Sequence, residues 1–159
     1  MRQLPKQRIA KSALTVWRMT AMLEVLIEAL FIGAYVVMSV WLGWPMWIAW
    51  AASGLLVLYA IAIVVIIPSV RWKRWRYEVM EEEVDLQEGV FITKRTLIPM
   101  VRVQHVDTSQ GPFLKRYGLS TVTISTAATT HEIPALPQEE AAQLRDQIAR
   151  LARKEERYE

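Results

Sequence analysis

The chain contains no cysteine. That excludes a disulfide framework, a thiolate nucleophile and any cysteine-based metal site, and it fits a reducing compartment. Histidine is almost as scarce, with only His105 and His131. The pair lacks the i,i+4 or similarly short spacing of a typical metal site, although the two could meet across strands. Six glycines are present, and none builds a phosphate-cradling loop or a nucleotide fingerprint. No metal and no cofactor is implied. Charge is missing from one long stretch, because between Met22 and Pro68 the only charged residues are Glu24 and Glu28.

Apolar residues take up the room. They make up 53% of the 159 residues while charged residues hold 22%, which points to a greasy part and a charged part in one to two structural units. Residues 1–20 carry five basic residues and no acid; residues 69–159 carry fourteen of each sign. The net charge of +3 therefore reflects the flank of the apolar region and not a nucleic-acid footprint. Nucleic acid is not an expected partner.

Ala21–Leu42 and Pro45–Pro68 are each long enough, at about 1.5 Å per residue, to cross a hydrocarbon core of about 30 Å. Only Gly43 and Trp44 lie between them, so residues 21–68 are expected to form a tight transmembrane hairpin. Arg2, Lys6, Arg8, Lys11 and Arg18 precede it, Arg71, Lys73, Arg74 and Arg76 follow it, and the turn has no cation. Positive flanks stay inside, which predicts a multi-pass protein of the plasma membrane with both termini cytoplasmic. Trp17, Trp72 and Trp75 are expected at the inner interface, and Trp41, Trp44, Trp47 and Trp50 at the outer one.

Glu24 and Glu28 stand four apart on one helical face early in the first span. A carboxylate in hydrocarbon is expensive and raises a functional hypothesis. The readings are interfacial or structural use, contact with a partner helix, and ion or proton chemistry. Ala29 and Gly33 form a small-xxx-small pair one position round the helix, where another helix could approach closely.

After Pro68 the pattern changes to short alternating runs. Arg74–Met80 reads as a strand leaving the membrane. Glu88-Gly89 reads as a hairpin turn between Val84/Leu86 and Val90/Ile92. Met100–Val106 and Leu119–Thr126 read as further strands, and His131–Leu136 as a short last one that Pro134 places at an edge or a strand end. Pro137–Glu156 is an amphipathic helix with Ala141, Leu144, Ile148 and Leu151 on its apolar stripe and an Asp146–Arg150 pair. Residues 69–159 are thus expected to be an antiparallel α+β unit, preceded by a basic cytoplasmic segment at residues 1–20.

Gly89, the strand "IPMVRVQHVD", the segment "SQGPFLKRYGL" and the strand "TVTISTA" together resemble the bacterial pleckstrin-homology (PH)-like membrane proteins. The likeness covers essentially the whole chain. It implies a transmembrane α-hairpin followed by a PH-like antiparallel β-barrel or sandwich capped by a C-terminal α-helix. It also implies assembly with a membrane-protein partner, such as a larger relative holding several copies of the domain, or with further copies of itself. A role in envelope stress or antimicrobial-peptide defence is implied by the resemblance alone. No catalytic residue carries over.

His105, Asp107 and Ser109 alternate along one strand, which raises the question of a hydrolytic site. Same-face neighbours on a strand are roughly 6–7 Å apart and run parallel, whereas a triad must converge. No G-x-S-x-G elbow surrounds Ser109. The stretch is better explained as a strand-to-helix turn, with Thr108 or Ser109 as cap, Pro112 in the first helical turn, Phe113, Leu114 and Tyr117 available for the core, and Gly118 at the left-handed end. Lys94, Arg95, Arg102, Lys115 and Arg116 are candidate contacts for anionic lipid headgroups. The expected function is a non-catalytic, membrane-anchored interaction protein. The alternatives are a lipid-headgroup-sensing module, and an oligomeric ion-coupled carrier or membrane enzyme using Glu24 and Glu28.

Overall fold

The structure is a computed structural model, and residues 4–155 are described. Arg2 of the basic flank and Glu156 at the end of the expected last helix lie outside the described residues. The chain forms two compact units, one of Trp17–Ser69 and the other of the residues up to Val16 together with those from Val70 onward.

The first unit is a helical pair, built from α1 (Ser12–Leu42) and a continuous helix over Trp47–Arg74. The second helix comprises α2 (Trp47–Ala60), a π-helical turn (Ile61–Ile66) and α3 (Ile67–Arg74). Both are long and apolar enough to cross a membrane. Each outruns its expected span: α1 begins nine residues before Ala21, and the second helix continues six residues past Pro68. For the second helix a π-helical turn explains how. Pro68 has no N–H, and in a straight α-helix its ring would meet the carbonyl four residues back. Widening the turn so that the Ile67 N–H reaches the Ala62 carbonyl lets the helix carry the proline. At the other end Gly43, at φ +71°, closes α1, and the Trp44 N–H returns to the Ser39 carbonyl at 3.1 Å.

Along the pair, Val25, Ile32, Tyr35, Val36 and Ser39 of α1 are shielded, as are Ala49, Ala52, Ser53, Leu56 and Ala60 of α2. These follow a heptad-like seam with small residues on the α2 side, which permits close backbone approach. Ser53 satisfies its hydroxyl by donating to the Ala49 carbonyl at 2.8 Å. Leu26, Leu30, Phe31, Val40, Leu55, Val57 and Leu58 face outward, as lipid-facing surface must.

The second unit holds six strands: β1 (Arg76–Val79), β2 (Glu83–Glu88), β3 (Lys94–Pro99), β4 (Val103–Ser109), β5 (Leu119–Thr126) and β6 (Thr130–Pro137). Two helices join them, the short α4 (Pro112–Arg116) and the C-terminal α5 (Gln138–Glu155). The strands make two antiparallel three-stranded sheets, ordered β1-β2-β3 and β4-β5-β6. This is the PH-like sandwich with its C-terminal helix, but the sheets do not close into a barrel. A 3₁₀ turn at Met100–Arg102 separates β3 from β4 where a strand starting at Met100 was expected. Met100 is fully buried there and its N–H donates to the Glu82 carbonyl at 2.8 Å, so the chain turns to bury the residue.

The core draws Val84, Leu86 and Ile98 from the first sheet, Val122, Ile124 and Ile133 from the second, and Ala141, Leu144, Ile148 and Ala152 from α5. β6 is an edge strand, as Pro134 requires. Its register shifts so that Pro134 and Ala135 together oppose Thr121, with Ala135 at φ +52°. The expected β2–β3 hairpin forms, but its loop runs from Gly89 to Thr93, and Val90 and Ile92 lie in that loop and not in a strand. α4 is capped by Gly111 without a side-chain bond, because β4 extends through Ser109 and absorbs Thr108 and Ser109. Phe113 and Leu114 are half-buried while Tyr117 is exposed. On α5 the Asp146 carboxylate pairs with Arg145 at 2.8 Å; Arg150 donates to the Asp146 backbone carbonyl instead of forming the expected ion pair.

The basic N-terminal segment folds as part of this unit. Gln7 and Tyr77 exchange backbone hydrogen bonds at 3.1 and 3.0 Å, extending the first sheet beyond β1. Ile9, Ala13 and Val16 are buried. Trp72 donates its indole N–H to the Ala10 carbonyl at 3.1 Å and lies beneath the Arg8 guanidinium. Trp75 is 1% exposed, so it is a core residue and not an interfacial anchor.

Candidate functional site

In the helical pair the two carboxylates of α1 have different surroundings. Glu24 accepts a hydrogen bond from the Tyr59 hydroxyl at 2.6 Å. Glu28, one turn on, stands at the rim of an apolar groove of about 400 Å³ walled by Ile32, Ala52, Leu55, Leu56 and Tyr59. Ala29 and Gly33 are exposed on α1 and do not line the groove, and a Cβ at Gly33 would meet no heavy atom within 4 Å. The small pair is therefore not spent on packing within the hairpin.

In the second unit His105, Asp107 and Ser109 do lie on one face of β4, opposite Ser125, Thr123 and Thr121 of β5. Thr130 and Glu132 of β6 extend the same row. This face is solvated and all three candidates are exposed, whereas Val122, Ile124 and Ile133 on the reverse face are fully buried. The side chains stand side by side, and no hydrogen bond joins the three among the described residues. The arrangement is the polar side of a two-faced sheet and not a triad. His131 pairs in register with Ile124, so it lies on the face opposite His105, and the two histidines do not meet. His131 Nε2 is 2.9 Å from the Thr129 hydroxyl.

The five basic candidates are not gathered into one patch. Arg95 grips Asp85 with Nε at 3.0 and 3.1 Å from the two carboxylate oxygens and a further bond from Nη2. That hydrogen-bonded carboxylate holds the Arg95 guanidinium above its ordinary pKa. Lys94 lines a polar cleft of about 340 Å³ with Arg71, Trp75, Glu88, Thr96 and His131. Arg102 lines a neighbouring cleft of about 460 Å³. Lys115 and Arg116 lie exposed on α4, beyond the far end of β4, whose seven residues span about 23 Å.

Three features escape a reading of the sequence. Asp85 is fully buried between strands, directly opposite Glu78, and Arg95 reaches it diagonally from β3. Trp75 carries a buried indole N–H with no acceptor among the described residues. Phe91 and Ile92 are 89% and 83% exposed at the tip of the β2–β3 loop. That loop is fixed by Arg74, which donates to the Val90 carbonyl at 2.7 Å, and by Gly89 at φ +132°. An apolar run in sequence looks like strand; only the loop geometry reveals that it points to solvent.

Comparison with known proteins agrees with this architecture. The sequence model of the family described as Bacterial PH domain matches residues 21–152, taking in both long helices and the strands. The chain belongs to the bacterial PH domain family. This family member is 52% identical over 153 residues to the UPF0699 transmembrane protein YdbS of Bacillus subtilis, with 96% of each chain covered. It is 29% identical over 101 residues to the UPF0699 transmembrane protein YdbT of the same organism. That match covers 61% of this chain but only 20% of the relative. No solved structure matches at a significant level. The chain is thus a transmembrane protein carrying a bacterial PH domain.

Proposed function

We propose that this bacterial PH domain protein is a non-catalytic interaction protein that presents its domain at the cytoplasmic face of the plasma membrane and assembles there with another membrane protein. Both termini lie on the cytoplasmic side. The Gln7–Tyr77 bridge supports a common side, since a segment before the first span and a strand after the second are hydrogen-bonded to each other. The cationic flanks favour the inner side.

The observation that carries the assembly reading is the Phe91–Ile92 tip. Two bulky apolar side chains stand almost wholly exposed on a loop that Arg74 and Gly89 hold in one shape. Exposed apolar surface marks a contact that is completed by something else. Confinement by the hairpin raises the effective concentration of the domain, so a small contact suffices. The solvated His105–Asp107–Ser109 row and its separated side chains support the non-catalytic part. Defence against envelope stress or antimicrobial peptides is the physiological setting that fits such an assembly.

A photo-crosslinking residue placed at Phe91 in the full chain tests this in native membranes. A discrete adduct with another membrane protein is expected. Adducts confined to lipid would replace assembly with a headgroup-sensing role, and a chain that stays free under illumination refutes both.

A further inference from the structure

The depth of Glu28 gives the partner a chemistry. Within the helical pair, the Arg18 guanidinium donates to the Ser69 hydroxyl at 3.4 Å, and near the opposite end the Tyr35 hydroxyl donates to the Pro45 carbonyl at 3.1 Å. At about 1.5 Å per residue, Glu28 is about 15 Å along α1 from Arg18 and about 21 Å from Leu42. In a hydrocarbon core of about 30 Å that places Glu28 within the hydrocarbon, where a carboxylate is costly unless paired.

The hairpin supplies no partner. Tyr59 has one hydroxyl proton, and Glu24 accepts it. Glu28 has neither a hydrogen bond nor an ion pair among the described residues. It is exposed beside an unfilled apolar groove. Groove and carboxylate together match the footprint of one more helix.

We propose that this groove is the docking site for a transmembrane helix of another protein, one that carries a lysine or arginine near its midpoint to pair with Glu28. A second copy of this chain fits poorly, because residues 22–68 contain no Lys, Arg or His and would bring only more carboxylates. The inference rests on the assembly reading above and adds the class of partner and the contact residue.

The test uses the full chain, fluorescently labelled, in phosphatidylcholine vesicles with synthetic leucine-alanine transmembrane peptides bearing an acceptor dye. One peptide has a single central lysine, and its control has leucine there. The lysine peptide is expected to bind at least tenfold more tightly at neutral pH. Glu28→Gln should abolish the difference, while Glu24→Gln should retain it. Equal binding of the two peptides, or an undiminished preference in Glu28→Gln, overturns the proposal. Energy transfer between two labelled copies of this chain that the lysine peptide cannot displace assigns the groove to self-association and overturns it likewise. The Phe91 crosslink separates the two levels. An adduct in native membranes without lysine-peptide binding removes only the Glu28 docking site; lysine-peptide binding without an adduct removes the Phe91 contact and keeps the groove.

Discussion

Asp85 is fully buried, and Arg95, two residues along β3 from its cross-strand neighbour Leu97, closes on it with a two-pronged set of hydrogen bonds. The pair also settles a conflict within the sheet, because Asp85 lies directly opposite Glu78 on β1. Like charges in that position repel. Arg95 answers one of them and Lys6, at 3.6 Å, answers the other.

Removing the two partners should therefore have unequal effects. Arg95→Ala leaves a carboxylate stranded in the core, a situation that generally costs about 3–5 kcal/mol. Asp85→Asn keeps one acceptor oxygen for a guanidinium that already reaches solvent. The expected order of melting temperatures in detergent is parent, then Asp85→Asn, then Arg95→Lys, with Arg95→Ala lowest. Lysine ranks below arginine because it cannot reproduce the fork. If Arg95→Ala melts with the parent, the pair is not a structural element.

Gly89 governs the shape of the apolar loop. Its φ of +132° is poorly open to other residues, and an added Cβ would collide with the Ile92 carbonyl. Gly89→Ala is expected to cost about 1–3 kcal/mol and to loosen the loop. Hydrogen exchange at residues 90–93 should quicken in that variant. Unchanged exchange and melting would show that the loop tolerates a side chain.

Tyr77 supplies a pH signature. Burial, reinforced by the negative charge of Glu140, pushes its phenol up to about 12 from an ordinary value of 10. Between those values the folded state holds a proton that the unfolded state releases, so stability is complete below pH 10 and declines as pH rises toward 12. Tyr77→Phe has no such proton. The stability difference between parent and Tyr77→Phe should be constant up to about pH 10 and narrow above it, measured by denaturant unfolding at stepped pH. A difference independent of pH across that window would mean that the phenol is not protected by folding.

The cysteine-free sequence gives a clean background for topology. Trp47→Cys, at the exposed start of α2, should react with a membrane-impermeant maleimide on intact cells. Lys115→Cys on α4 should react only after permeabilisation. The reverse pattern would turn the protein inside out.

Elements whose pattern is local were legible in the sequence. β5 occupies Leu119–Thr126 as its period of two indicates, and α5 buries Ala141, Leu144 and Ile148 as its spacing requires. What was hidden depends on registry over distance or on context. Asp85 finds Arg95 only once the length of the Gly89–Thr93 loop fixes the pairing of β2 with β3. Val90 and Ile92 read as strand because apolar side chains usually seek burial, yet their loop stays in the open. Trp75 resembled a membrane-interface tryptophan because a cationic cluster surrounds it, and the same residues also begin a folded core. At the candidate site, the position of Glu28 in the apolar run was visible early. Which carboxylate Tyr59 would occupy was not, since that contact joins residues 35 positions apart.

The Gln7–Tyr77 bridge also constrains biosynthesis. It ties the chain into a ring that contains both hydrophobic helices, so Gln7 has no docking place until roughly seventy more residues have been made. Closing the ring must then follow insertion of the hairpin into the bilayer. A nascent chain stalled before β1 would hold its spans and still expose the segment around Gln7 to proteases; release of the remaining sequence would make that segment resistant.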